Sequence, residues 1–215
     1  MNDMDIVLFG IQGSGKGTLG RAVSEKYGFE YFETGAELRK LSHEDSDLAR
    51  KVKEIVEAGH LVPNEVVMEI VEAFVDKLPE GRSVVFDGLP RKQEQADTFE
   101  ALLKNRKREF MGILVEVPEE IALRRLTTRR ICSRCKEVYP ADYAKDKCQK
   151  CGGELVTRSD DNPESIKTRI KAYFDETMPV IERYKKENKM IVLDGKPVIP
   201  EVVKVIFEIV EKQIL

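Results

Sequence analysis

The chain has 215 residues, 41% of them hydrophobic, enough for one domain of ordinary size with a real core. Charged residues reach 35% but nearly cancel, leaving a net charge of −3, which argues against bulk attraction to nucleic acid or to an anionic membrane. The opening MNDMDIVLFG is no secretory signal, and no later run reaches the length of a membrane span. A cytoplasmic protein is expected, where cysteines bind metal more often than they form disulfides.

Five short apolar runs, Ile6–Phe9, Phe29–Phe32, Val84–Phe86, Ile113–Val117 and Met190–Leu193, alternate with helical patterns. They predict an α/β fold in three layers around a mainly parallel five-stranded sheet. Directly after the first run stands Gly10-x-x-x-x-Gly15-Lys16, followed by a helical pattern from Leu19. Strand, glycine loop and helix start in that order are the context a phosphate-binding P-loop requires. Glycines let successive amides turn toward one anion, the helix N-terminus adds its positive end, and Lys16 reaches the outer phosphates.

Residues 33–62 read as helix upon helix. Leu48, Val52, Ile55 and Val56 share one face, which Gly59 closes as a C-cap. Asn64 is expected to cap a helix burying Val67, Ile70, Val71, Phe74 and Leu78. The third apolar run ends at Asp87, on the sheet edge where α/β ligands bind. A carboxylate there either organises Mg²⁺ or caps a turn. Asn162–Pro163 opens another helix, and Pro200 opens the last, with Val203, Ile206 and Val210 facing inward. The chain therefore divides into a core of 1–32, 63–127 and 162–215, with insertions at 33–62 and 128–161.

All four cysteines lie in the second insertion: Cys132, Cys135, Cys148 and Cys151 form two Cys-x-x-Cys pairs. This is the spacing of a tetrahedral four-thiolate site, with zinc expected and iron the alternative. Four protein ligands leave no open position for water, so the metal would be structural. A small zinc-ribbon that binds nucleic acid is a competing reading, weakened by the acidic chain and the lack of interleaved stacking aromatics.

The local loop form G-x-x-G-x-G-K-G-T does not stand alone. It is followed in order by TGAELR at 34–39, DGLPR at 87–91 with Gln95, RRLTTRR at 124–130, RSDDNPESIKTR at 158–169 and LDGKP at 193–197. This series resembles the nucleoside monophosphate kinases, and the adenylate kinases in particular, over nearly the whole chain. The resemblance implies reversible, Mg²⁺-dependent transfer of the ATP γ-phosphoryl group to AMP, giving two ADP, by a monomer.

On that resemblance ATP is held by Gly13, Ser14, Gly15, Lys16, Gly17, Thr18, Arg125 and Arg129, with Val138, Tyr139 and the Lys196 backbone near its base. AMP is held by Thr34, Arg39, His60, Leu61, Val62, Gly88, Leu89, Pro90, Arg91, Gln95, Arg158 and Arg169, the Gln95 amide reading the adenine edge. Lys16, Arg91, Arg125, Arg129, Arg158 and Arg169 carry the catalysis, and Asp87, Asp160 and Asp161 order the magnesium waters. Residues 33–62 become the AMP-binding insertion and residues 128–161 a zinc-stapled lid.

The chemistry fits these residue types. Permanently charged guanidinium groups suit two polyanions and a transition state whose charge spreads over phosphoryl oxygens. The two histidines, His43 and His60, build no catalytic constellation, and none is needed, because a monophosphate oxygen is already anionic. The chain departs from the family pattern at Gln12 for a proline, Leu89 for an aromatic, His60 for a lysine and Ala36 for an aspartate that helps order magnesium water. Glu33 is the candidate to compensate for Ala36. A UMP/CMP- or GMP-type kinase stays open as the acceptor alternative. A GTPase does not fit, since Asn188–Lys189 is followed by Met190–Ile191 rather than by the guanine-reading aspartate.

Overall fold

The computed structural model of the chain describes residues 4–140, 143–158 and 160–215. Residues 1–3, 141, 142 and 159, which fall within the expected core and lid segments, lie outside the described residues. Strand β1 (Met4–Phe9) is apolar apart from Asp5 and is buried along its last five residues, because a central parallel strand is covered on both faces. Helix α1 (Lys16–Tyr27) follows the glycine loop and leads to β2 (Glu30–Glu33). Helices α2 (Thr34–Leu41), α3 (Asp47–Glu57) and α4 (Asn64–Val75) precede β3 (Val84–Asp87). Then come α5 (Gln93–Asn105), β4 (Glu109–Glu116) and α6 (Glu119–Thr128).

Three short strands, β5 (Arg130–Cys132), β6 (Val138–Tyr139) and β7 (Leu155–Val156), form an antiparallel sheet of their own in the order β6-β5-β7. The chain returns through α7 (Pro163–Ala172), a π-helical turn over Tyr173–Thr177, α8 (Met178–Lys186), β8 (Met190–Asp194) and α9 (Ile199–Gln213). The main sheet is parallel throughout, in the order β2-β3-β1-β4-β8, as the alternating pattern predicts.

Period-two alternation splits the core into two layers. Ile6 and Leu8 of β1 pack with Leu19, Val23, Ile206 and Val210 of α1 and α9. Val7 and Phe9 face the opposite side, against Phe86, Phe99, Ile181 and Tyr184. Helix α1 lies so close to the sheet that a Cβ on Gly20 would stand 2.6 Å from Tyr31 Cε2 and 2.9 Å from Leu8 Cδ1. Only glycine fits that approach.

Several local expectations are corrected. Strand β4 begins at Glu109, four residues before the apolar run, because Met4 and Asp5 pair with Glu109 and Phe110. On α3 the buried residues are Ala49 and Val52, while Leu48 is 43% exposed; the small Ala49 lets the helix sit closer than a leucine would. Asn64 is the first helical residue, not the cap; Pro63 stands at the cap, and the Asn64 amide reaches Thr98 Oγ1 at 3.4 Å. On α9, Val202 rather than Val203 is fully buried. Asn162 does cap α7, accepting from the Ser165 amide at 2.9 Å with Pro163 inside the first turn.

One buried charge ties the sheet together. Asp5 is wholly buried, and its Oδ1 accepts from the Val84 amide at 2.8 Å. The Arg108 guanidinium donates to both Asp5 oxygens, at 2.8 and 2.6 Å. Strands β1 and β3 and the entry to β4 thus meet on one carboxylate. Arg108→Met removes the guanidinium that donates to both oxygens of this buried carboxylate and is expected to cost about 3–5 kcal/mol in urea unfolding. Adding Asp5→Asn should recover part of the loss, which a merely steric effect of the methionine would not.

Candidate active site

The loop after β1 is shaped by backbone conformations that disfavour side chains. Gly13 and Gly15 have φ of 88° and 100°, and a Cβ on Gly13 would stand 2.4 Å from the Ala122 carbonyl oxygen. Among the described residues none accepts from the amides of Gly13, Gly15, Lys16 or Gly17, which leaves them available to an anion at the start of α1, where the helix dipole is positive. Lys16 folds over this loop and donates to the carbonyls of Gly10 and Ile11 at 2.5 and 3.1 Å. Burial lowers its ammonium to about 8, against the opposing pull of the Asp87 carboxylate.

Parallel pairing sets Glu33 beside Asp87 at the carboxyl ends of β2 and β3, the edge of the sheet that faces the loop. Asp87 accepts from the Tyr31 hydroxyl at 2.9 Å, and burial raises its carboxyl. Glu33 accepts from Arg39 at 2.9 Å and from Arg21 at 3.3 Å. Just beyond Asp87, Arg91 is aimed by its own loop: its Nε donates to the Gly88 carbonyl and its amide to Gln95 Oε1, both at 2.7 Å. Thr177, at the end of the π-helical turn, donates to the Arg91 carbonyl at 3.1 Å. Gln95 thereby uses its oxygen inside the loop.

The remaining arginines converge from α6, α7 and the segment before α7. Arg129 forks onto Asp161 at 2.7 and 2.8 Å, and Arg169 reaches Asp161 at 3.0 Å and Asp160 at 3.4 Å. Arg125 donates to the Gly195 carbonyl at 3.1 Å. Arg158 lies among them with its Nε buried and, among the described residues, unpartnered; burial, then Arg129 and Arg39, lower its guanidinium to about 10. Burial lowers Arg91 as well.

Together these groups surround a cavity of about 520 Å³. Of the expected site residues, Gly13, Gly15, Lys16, Gly17, Thr18, Thr34, Arg39, His60, Leu61, Val62, Asp87, Gly88, Arg91 and Gln95 line it. So do Arg125, Arg129, Val138, Tyr139, Arg158, Asp160 and Arg169. Ser14 and Leu89 are buried behind the wall, and Pro90 stands beside a smaller cavity. Lys196 offers its carbonyl to Arg125 at 3.4 Å. The Asp161 side chain is fully buried, with both oxygens on guanidinium groups, so it positions arginines rather than facing the cleft. Arg21 also lines the cavity, and no motif pointed to it; its place five residues after Lys16 on α1 was the only signal.

The four cysteines converge as their spacing implies. All Sγ atoms lie within 4.8 Å of one another, with Cys132–Cys151 and Cys135–Cys148 each at 3.4 Å. Four thiolates about 2.3 Å from one tetrahedral ion would be about 3.8 Å apart, so the donor set fits zinc. The Arg134 and Cys135 amides both donate to Cys132 Sγ at 3.4 Å. Burial pushes the Cys148 thiol up, but hydrogen bonds, chiefly from Tyr139 and the Cys151 amide, outweigh it and bring it to about 6.

A phosphate loop lies under one end of the cleft and an arginine cluster reaches around to the other, so the cleft is receptive to anions at both ends: the molecule is a P-loop phosphotransferase. A family model described as adenylate kinase matches residues 8–189. The adenylate kinase of Fervidobacterium nodosum is 37% identical over 96% of this chain and 97% of its own length. That of Archaeoglobus fulgidus is 38% identical over 97% and 99%, and that of Thermotoga petrophila 36% over 95% and 96%. The chain belongs to the adenylate kinase family.

Burial of Lys16 makes a direct measurement possible. In the ligand-free protein its ammonium should titrate near pH 8, read by NMR at a labelled Lys16 side chain. Asp87→Asn removes the main group holding the proton on, so the midpoint should move lower still. An unshifted lysine titration would contradict the burial.

Proposed function

We propose that the chain transfers the γ-phosphoryl group of ATP to AMP, reversibly and with Mg²⁺, giving two ADP. The observation that carries this reading is a set of buried polar atoms on cleft-lining residues that have no partner among the described residues: Gln12 Oε1, Thr34 Oγ1, Arg158 Nε and Asp160 Oδ1. Buried polar groups cost stability unless they are hydrogen-bonded, so these atoms fit a polar ligand of the cleft. Two come from the expected acceptor side, where Arg39 and Arg91 would hold the AMP phosphate. The amides of the glycine loop and Lys16 would hold the ATP phosphates, with Arg125 and Arg129 beside them.

In the reaction an oxygen of the AMP phosphate bonds to the γ-phosphorus as the bond to the β-bridging oxygen breaks, and the leaving group is ADP. No proton has to leave the nucleophile, so no general base is required. The protein's work is orientation and electrostatic complementarity, for which the buried, pre-aimed Arg91 is suited. Asp87 and Asp160 would hold magnesium through water, and the ion would supply charge neutralisation for the ATP phosphates. Residues 128–161 would act as a lid that excludes water, with zinc on Cys132, Cys135, Cys148 and Cys151 as its staple; residues 33–62 would close on AMP. The protein would act as a cytoplasmic monomer. Leu38, Val56, Val62 and Val67 line the acceptor wall, an apolar seat suited to a purine with Gln95 at its edge.

Coupled assays with ATP and AMP, UMP, CMP or GMP test the reading: AMP should give ADP at the highest kcat/KM. A chain that hydrolyses ATP on nucleic acid but transfers nothing to AMP would overturn it in favour of a zinc-ribbon ATPase. Lys16→Ala and Arg91→Ala should each lower transfer by about 100-fold or more with circular dichroism unchanged.

Protein purified without chelator should contain one zinc per chain by plasma mass spectrometry. Cys148→Ser should lose that zinc and lower the melting temperature, while the remaining transfer stays confined to AMP. Iron in place of zinc would correct the metal, and absence of either would remove the staple.

A further inference from the structure

Glu33 is a carboxylate in a site otherwise built to attract anions, and the reading of the acceptor site above does not use it. It ends β2 in register with Asp87, so two acidic residues sit side by side. Like charges in such a position repel unless cations compensate. The compensation is specific: Oε1 takes Arg39 Nη2 at 2.9 Å and Oε2 takes Arg21 Nη1 at 3.3 Å. Burial would raise the Glu33 carboxyl, but Arg39, Arg158 and Arg21 outweigh it and hold it below the usual range. The side chain is 20% exposed, and both Glu33 and Arg21 line the cleft.

Arg39 is therefore treated differently from Arg91. Arg39 is neutralised from within, by Glu33 and more loosely by Asp160 at 3.9 Å. Arg91 is aimed by a backbone carbonyl, and among the described residues it has no ion pair. With both Glu33 oxygens on guanidinium groups, the carboxylate is placed to occupy an arginine rather than to order water on a metal.

We propose that Glu33 is a built-in counter-anion of the acceptor site, occupying Arg39 until the phosphate of an incoming nucleoside monophosphate displaces it, with Arg21 holding the carboxylate aside afterwards. This rests on the AMP-site reading and deepens it. The consequence is a weaker, more easily reversed grip on the acceptor phosphate than the arginine cluster would otherwise give. Arg21 becomes a positioning residue: it competes with Arg39 for the same carboxylate, so its loss should drive Glu33 harder onto Arg39.

The two variants consequently have opposite signs. Calorimetric titration of AMP into magnesium-free, ATP-free protein should show Glu33→Gln binding about 2–5-fold tighter than wild type, the scale of one partly exposed ion pair. Arg21→Met should bind AMP about 2–5-fold more weakly, on the same scale. Adenosine, which has no phosphate, should bind both variants as it binds wild type, read by NMR titration.

Weaker AMP binding by both variants would mark the pair as merely structural and overturn the proposal. So would unchanged binding in Glu33→Gln, or a parallel shift for adenosine. A Glu33→Gln protein with unaltered AMP affinity but a higher magnesium requirement would instead make Glu33 a replacement for the carboxylate missing at Ala36. In each of those cases wild-type transfer to AMP would stand; if wild type makes no ADP from ATP and AMP, the AMP-site reading falls first.

Discussion

Crowding of positive charge in a space with little water is the constraint on which the rest of the structure depends. Lys16, Arg39, Arg91, Arg129, Arg158 and Arg169 all line one cavity. Lys16, Arg91 and Arg158 are held below their usual values chiefly by burial. Such groups stay charged only where carboxylates or ligands stand close. Among the described residues the compensating groups are Glu33, Asp87, Asp160 and Asp161, with backbone carbonyls such as those of Gly10 and Gly88. Balance is left incomplete on the side where Arg158 Nε and Thr34 Oγ1 have no partner among those residues. A site lined by more cations than carboxylates attracts anions.

The sheet is what keeps that crowd from collapsing onto itself. Carboxyl ends of β2 and β3 hold Glu33 and Asp87 in fixed register, and Asp161 pins Arg129 and Arg169 from the opposite wall. Arg91 is aimed by Gly88, Gln95 and Thr177, none of them charged. Neutral contacts orient a guanidinium without neutralising it, and this leaves its charge for a ligand. Distant strength comes from elsewhere: the apolar layers on either side of β1 and the Asp5–Arg108 pair at the far end of the sheet.

What the sequence made legible was whatever lies in one continuous stretch. The loop from Gly10 to Thr18, the paired cysteines and the apolar runs each carry their geometry in their spacing, and the five-stranded parallel sheet and the thiol cluster follow from them. Errors arose where a neighbour decides. Leu48 looks like a core residue on a helical wheel, yet Ala49 takes the buried place. Glu109 looks too polar for a strand, yet Met4 pairs with it. Arg21, Tyr31 and Glu33 come together only because α1 rides close to the sheet at Gly20 and because β2 registers with β3. No one-dimensional pattern encodes that meeting. Asp160 and Asp161 are adjacent in sequence and read alike, but only the fold separates the carboxylate that lines the cleft from the one consumed by arginines.

Tyr139 shows how the cysteine segment bears on the cleft. Its ring lines the cavity, while its hydroxyl is within 3.1 Å of Cys148 Sγ and accepts from the Gln149 amide at 2.9 Å. Cys132, Tyr139 and Cys148 are the fully buried members of that segment's own cluster, far too few to hold a rigid body by apolar burial. A metal on the four thiolates would supply the missing cohesion. It would also fix the sulfur against which Tyr139 is set, so that the wall of the nucleotide cleft inherits its position from the cluster. Rigidity there would hold the Tyr139 ring ready for a ligand, so that less of the binding energy is spent on ordering that wall of the cleft.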